Sequence, residues 1–384
     1  TWLREKKAIM PSVVVVLGTR GSIWDALLES APDCLDDEAL AMAESLTEKV
    51  MTNSTAAADL DQLSRWLSQA HGVPFELRVI PEGVDHDGQM HTLKTLAEVV
   101  PSKSSLHMCV THGLRHMPML QMLSAFHLAQ TSGVQLAGLY YGALELGKNG
   151  QDCPVIELTG AADLQQWNLA LHTVTTTGRL SALADAAQKE APEIAEKLTA
   201  ADQRLATNRV EGAAIPAREA ASLILQHSLP GAGRLFSDAT IARLTWASQK
   251  GLGTKQHLLA KQALAVGDIS RCVILCLEGL ISKQLPSDTD ETNYTLREKT
   301  WQTLMTDLDR GERKEYKTLE YLRNAIAHGT ASDNEDVNRL LADRTQLVEF
   351  LTKMLTRLAQ TSLAIPAEVT LQSTSSLADA FRGI

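Results

Sequence analysis

The sequence predicts an α/β domain built on a doubly wound, mostly parallel sheet, followed by an all-α domain. Three observations predict it. Short β-branched runs alternate with helical stretches up to about residue 158. From Ala161 onward no convincing strand-like run appears. The length, 384 residues, suits about two to three domains, each long enough to bury a core.

Val13–Leu17 is a continuous apolar run ending at the turn-former Gly18. That is the pattern of a strand covered on both faces, as in a parallel sheet. Leu60–Ala70 reads as helix and Phe75–Ile80 as the next strand. Leu93–Val100 is helical, Leu106–Thr111 a strand and Pro118–Gln130 helical; Val134–Tyr141 and Pro154–Leu158 complete the strands. This order implies right-handed crossovers. In the second half, helices are read at Ala162–Thr173, Leu180–Leu205, Ala217–Gln226, Ala239–Gln249, Gln256–Val266, Ile269–Lys283, Tyr294–Leu308, Lys314–Ala327 and Glu335–Ala359. Gly and Pro punctuate them at 230–233, 251–253 and 285–287. The Ala-rich, charged stretch Ala182–Ala206 reads as a connecting helix. The boundary is placed between residues 177 and 178, giving domains 1–177 and 178–384. Ile365–Ile384, rich in Ser and Thr, reads as an appendage. No solenoid-period repeat is present.

The charge balance narrows the function classes. A formal net charge of −10 argues against coating of nucleic acid by bulk electrostatics, but leaves room for a small nuclease site with a few local cations. No apolar run approaches the roughly 20 residues of a membrane span. Thr1–Pro11 is not followed by a long apolar region with a cleavage site, which predicts no signal peptide. Five cysteines without a CxxC pair predict free thiols in a reducing, cytoplasmic setting. Cys272 and Cys276 lie in an apolar helix and read as buried thiols, not metal ligands.

Ligands of open α/β sheets sit beyond the carboxyl ends of the strands. Four such ends carry chemistry. Gly18, Thr19, Arg20, Gly21 and Ser22 follow the first strand and combine glycines, hydroxyls and a guanidinium. Glu82 and Gly83 follow the strand Phe75–Ile80. Thr111, His112, Gly113 and Arg115 crowd a strand end and the start of a helix, a natural anion site. Tyr141 and Gly142 end another strand, and the tyrosine offers a face for a base. The sequence has neither GxGxxG nor GxxxxGK[ST], which removes the main support for a dinucleotide-dependent oxidoreductase or a P-loop enzyme. His112 and His116 stand at i,i+4, but HExxH is absent, so no metal site is assigned.

Taken in order, VVVVLGTRGS, THGLRHMPML and GLYYGALE followed by CPVIELT resemble the sensor domain of CRISPR-associated proteins that carry a CARF (CRISPR-associated Rossmann-like) domain. The resemblance covers Val13 to Thr177 and includes the THG-x-R-x-x-P and YYGA-x-E segments. In the helical half, Arg323-Asn324-Ala325-Ile326-Ala327-His328 resembles the R-x(4–6)-H motif of HEPN ribonucleases. With 11 histidines a chance match is expected. A second one, Arg65 to His71, lies on a crossover helix of the α/β half and is read as such. A CARF domain followed by a HEPN domain resembles type III CRISPR ancillary ribonucleases. That resemblance implies a homodimer, metal-independent cleavage of single-stranded RNA with no cofactor, and an allosteric activator, cyclic oligoadenylate. The family branch favours the cyclic tetra-adenylate ring.

Chemistry for the second motif follows from its residues. Gly329 and the polar stretch after it predict a helix stop, which puts His328 in the last turn, where the helix dipole favours imidazolium. Arg323 lies about 140° around the cylinder from His328, so the two do not share a face. Residues donated by two chains across a twofold axis bring them to one phosphate more easily. RNA supplies its own nucleophile, the 2′-hydroxyl. His328 would move the proton, Arg323 would stabilise transition-state charge, and Asn324 would orient either one. The separation of Arg323 and His328, together with the long Ala-rich helix, favours a twofold homodimer. The alternatives are a non-catalytic cyclic-nucleotide-sensing regulator, or a sensor that also degrades its activator. Thr19, Ser22 and Thr111 have hydroxyls suited to that self-cleavage, or simply to ligand contact.

Overall fold

Residues 2–147, 153–285 and 293–361 are described in the computed structural model; the tail Ile365–Ile384 lies outside the described residues. The chain divides into two units, Thr1–Ala162 and Asp163–Ile384. The division falls inside the helix Thr159–Thr177, at whose far end the sequence reading puts its boundary. The described residues are mostly helical, with short parallel and mixed strands confined to the first unit.

The first unit runs α1 (Trp2–Lys7), β1 (Val14–Gly18), α2 (Asp37–Met51), α3 (Ala57–His71), β2 (Phe75–Val79), α4 (His86–Val99), β3 (Ser105–Cys109), α5 (Met117–Ser132), β4 (Gln135–Gly142) and β5 (Val155–Glu157). Side chains alternate along β1. Val16 packs with Leu60, Leu63, Leu67 and Leu77 beneath α2 and α3, whereas Val15 and Leu17 join Leu96, Val99 and Leu128 beneath α4 and α5. Helices therefore cover both faces of the strand, as the apolar run predicts. Pairing is less continuous than the single sheet expected. β1 pairs in parallel with β2, and β3 in parallel with β4, as separate ladders. Leu106 of β3 shares a cluster with Val15 and Leu17, so apolar contact rather than backbone bonding joins the two ladders. β5 runs antiparallel to β4. The connection between them contains only the 3-10 turn Leu144–Leu146 among its described residues, and a parallel partner needs a longer crossover, usually a helix.

The sequence reading passes over α1 and α2. α2 is opened by Asp36, whose carboxylate accepts from Ala39 N at 2.8 Å. α4 begins earlier than predicted because Asp85 caps it, accepting from Gly88 N at 2.8 Å.

The second unit contains α6 (Thr159–Thr177), which straddles the division, then α7 (Ser181–Ala187), α8 (Pro192–Ala206), α9 (Val210–His227), α10 (Ser237–Leu244), α11 (Leu252–Val266), α12 (Ile269–Ser282), α13 (Tyr294–Asp307), α14 (Arg310–His328), α15 (Glu335–Ala342) and α16 (Arg344–Gln360). Two predicted helices are each a pair. Leu180–Leu205 breaks before Pro192, whose ring nitrogen has no hydrogen to continue the upstream helix but suits a first turn. Glu335–Ala359 breaks at Asp343, whose carboxylate caps α16 through Thr345 N at 2.9 Å. The Ala-rich stretch is core rather than connector. Ala195 and Ala201 of α8, and Ala213, Ala217 and Ala220 of α9, are fully buried in the cluster of the second unit. Its alanine face is thus used within the chain.

Asp202 of α8 fixes the turn between α6 and α7. It is 4% exposed and accepts from Arg179 Nη2 at 2.7 Å and Leu180 N at 2.7 Å. No helix among the described residues is long and apolar enough to cross a membrane.

Cys272 and Cys276 are buried, whereas Cys34, Cys109 and Cys153 are exposed. Burial pushes the Cys272 thiol up to about 12 and raises Cys276 as well, so neither forms thiolate near neutral pH. Iodoacetamide should alkylate the three exposed cysteines of the native protein, and all five only after unfolding, as read by intact mass. Native modification at Cys272 or Cys276 would contradict this packing.

Candidate functional site

Four loops at the carboxyl ends of β1 to β4 hold the predicted ligand residues of the first unit, and hydrogen bonds link them in series. Ile80 N donates to Gly18 O at 2.8 Å, tying the end of β2 to that of β1. His116 Nε2 donates to Glu82 O at 2.6 Å, joining the third loop to the second. Gly142 N donates to Thr111 Oγ1 at 2.7 Å, joining the fourth to the third. Gly83 is buried under Leu120, His116 and Met117.

The first loop is also tied to itself. Thr19 N donates to Ser22 Oγ at 2.8 Å, the Thr19 and Ser22 hydroxyls meet at 3.2 Å, and Ser22 N donates to Thr19 O at 3.1 Å. Beneath it lies Trp24, 2% exposed, with Nε1 donating to Thr19 O at 2.9 Å. A Cβ on Gly18 would stand 2.6 Å from that ring, which is why a glycine ends β1. Arg20, Gly21, His112, Gly113 and Arg115 are exposed. The side chains of Arg20, His112 and Arg115 have no hydrogen-bond or ion-pair partner among the described residues, nor do the amides of Arg20 and Gly21. These ordered strand ends therefore offer unpaired cations and amides, the donor set an anion needs.

Tyr141 is less available than its sequence position suggests. It packs against Met108, Val110, Ala125 and Leu139. Tyr140, on the other face of β4, stacks on His107 and donates to or accepts from its Nδ1 at 3.1 Å. The positioning roles of Trp24 and His116 have no sequence signal beyond proximity to the loops.

In the second unit, α14 carries Arg323, Asn324 and His328 on one helix. Gly329 closes it in the left-handed region (φ +64°), its N–H bonded back to Ala325 O. The predicted stop is therefore in place, with His328 exposed on the last turn. Leu319 and Leu322 bury the inner face. Arg323 is half-buried, and its Nε is shielded from solvent with no partner among the described residues. Asn324 is half-buried beside it.

The other R-x(4–6)-H match, Arg65 to His71, sits on α3. His71 Nε2 bonds Ser30 Oγ at 2.9 Å, and the ring lies tilted on Phe75 at 5.3 Å. Burial lowers its basicity. It secures the end of α3.

No family model matches the chain. The chain is similar to the CRISPR-associated protein MJ1674 of Methanocaldococcus jannaschii, 25% identical over 124 residues. The match covers 32% of this chain and 20% of that protein.

Proposed function

We propose that the chain serves a CRISPR system as a homodimeric, metal-independent endoribonuclease of the CARF–HEPN type, activated by cyclic oligoadenylate. The observation that carries this reading is the Arg323–His328 segment: an exposed histidine on a glycine-capped last turn, and an arginine about one turn and a half earlier whose Nε has no partner among the described residues. The similarity to a CRISPR-associated protein supports the setting, and the unpaired donors at the strand ends of the first unit support a phosphate-bearing activator.

In this reading the RNA 2′-hydroxyl oxygen attacks the adjacent phosphorus and the bond to the 5′ oxygen breaks. The products are a 2′,3′-cyclic phosphate and a 5′-hydroxyl. His328 takes or returns the proton. Arg323 neutralises charge gathering on the non-bridging oxygens. Since the two point about 140° apart on one helix, each phosphate meets residues from two protomers. Arg20 and Arg115 would hold activator phosphates.

The deciding experiment is single-stranded RNA incubated with the protein and a panel of cyclic oligoadenylates, without added metal. Cleavage that depends on one ring supports the reading; no cleavage with any ring overturns it. Arg115→Ala should raise the activator concentration for half-maximal cleavage about tenfold, the loss of a charge-assisted contact, and leave the saturated rate near parent. Calorimetry should give one ring per two chains. One ring per chain would sink the shared-ligand arrangement.

A further inference from the structure

The outer face of α14 carries a feature the proposed chemistry does not use. Arg310, Arg313, Lys314 and Lys317 line a shallow concavity of about 560 Å³. At 3.6 residues per turn, Arg310, Lys317, Tyr321 and His328 fall within about 20° of one line along the helix. Lys314 and Asn324 lie within about 40° of it. The line runs about 27 Å from Arg310 to His328. Cations, then an exposed tyrosine, then the proposed proton-transfer group thus follow one another on a single face.

Glu312 and Glu315 sit on the inner flank and pair with Arg357 of α16. Lys353 also reaches Glu315, at 2.7 Å. On the outer face Arg310 has no partner among the described residues. Arg313 donates to two carbonyls, Thr306 O at 2.9 Å and Leu308 O at 3.0 Å, which leaves its charge uncompensated. Lys314 pairs with Asp336 at 2.7 Å and Lys317 with Glu320 at 3.2 Å. Lys314 is exposed and Lys317 half-buried, and both side chains reach solvent, so a phosphate can compete for them. Lys317 Nζ also lies 6.0 Å from the Tyr321 ring, which is 42% exposed.

We infer that this stripe is the track on which single-stranded RNA docks, its phosphates on Arg310, Lys314 and Lys317 and one base on Tyr321, leading the strand to His328. The inference rests on the proposed ribonuclease reading and adds where its substrate lies. In an acidic chain, a local run of cations beside an exposed aromatic is the pattern that binds single strands without sequence preference. A second copy of the chain fits the cationic part of this face, Arg310 to Lys317, poorly. A twofold contact centred on the stripe would set like charges against each other.

The test measures binding of a fluorescent 2′-O-methyl RNA, which lacks the nucleophile, to the full chain with its activating ring. Arg310→Ala/Lys314→Ala/Lys317→Ala should weaken binding at low salt at least tenfold. It should also reduce the slope of log K against log salt by about 2, since each single-strand phosphate contact contributes about 0.7. Tyr321→Leu should weaken binding about tenfold with the slope unchanged. Lys189→Ala/Arg234→Ala/Lys250→Ala removes the same charge from exposed sites elsewhere in the unit and should leave both quantities at parent values. Thermal melting checks that each variant is folded. If the parent binds and cleaves RNA while the stripe variant matches the control, the track is refuted and the ribonuclease reading stands. If the stripe variant loses its dimer but keeps its RNA affinity, the face is a subunit contact and the track is likewise refuted. If the parent neither binds nor cleaves RNA, both fall together.

Discussion

His328→Ala should lower RNA cleavage by about 10²–10⁴-fold, the usual cost of losing a positioned proton-transfer group. Fold and activator binding should be unchanged, because the side chain is exposed. Arg323→Ala should also remove cleavage, through transition-state charge rather than proton transfer. The two losses are expected to differ in pH profile. His328 supplies a proton-transfer group, so its loss should flatten one limb of the rate profile. Arg323→Lys keeps the charge but not the forked geometry, and should recover only part of the rate. Mixed dimers of the two single variants should regain some activity if one site takes its arginine and histidine from different protomers. His71→Ala should leave the rate near parent, because His71 secures a helix end in the other unit. A dead His71 variant, or full activity in both His328→Ala and Arg323→Ala, would mean that the wrong match is assigned.

Asp202→Ala should give a large loss of stability outside the proposed site. The carboxylate is almost wholly buried and holds a backbone N–H and a guanidinium at once. Breaking a buried pair costs about 3–5 kcal/mol. Arg179 is half-exposed and can turn to water, which brings the expected cost to about 2–4 kcal/mol. Urea titration would read this as a lower midpoint with an unchanged slope. Asp202→Asn retains the shape and should lose less. A midpoint equal to parent in the alanine variant would show that the α6–α7 turn is held by something else.

What could be read from residues alone divides along physical lines. β1 was legible because five consecutive apolar residues leave few other structures, and α14 because its apolar positions and Gly329 agree on a helix and its end. The ladder gap between β1 and β3 was not legible. Strand-length runs report burial, and both strands bury side chains into one cluster without bonding to each other. The breaks before Pro192 and at Asp343 were written in the sequence. They were masked by helical periodicity that runs on through both positions. His328 and Arg323 stood out by spacing and context. The lack of a partner for Arg323 Nε did not, because partnership is a property of the surroundings. The stripe from Arg310 to Lys317 follows i, i+3, i+4, i+7 spacing that the sequence reading passes over, and only the placement of Glu312 and Glu315 against α16 reveals that Arg310 and Arg313 are left without a carboxylate partner among the described residues.

The serial bonding of the strand-end loops has an entropic consequence. Holding one residue's backbone in a single conformation costs about 1–2 kcal/mol, and loops of this length are commonly left to order themselves around whatever they bind. Here Thr19 and Ser22 hold each other, Trp24 holds Thr19, His116 holds Glu82 and Thr111 holds Gly142. Their freedom is surrendered when the chain folds, long before any ligand arrives. An anion landing on these strand ends therefore keeps most of its contact energy as affinity, and has only the side chains of Arg20, His112 and Arg115 left to immobilise.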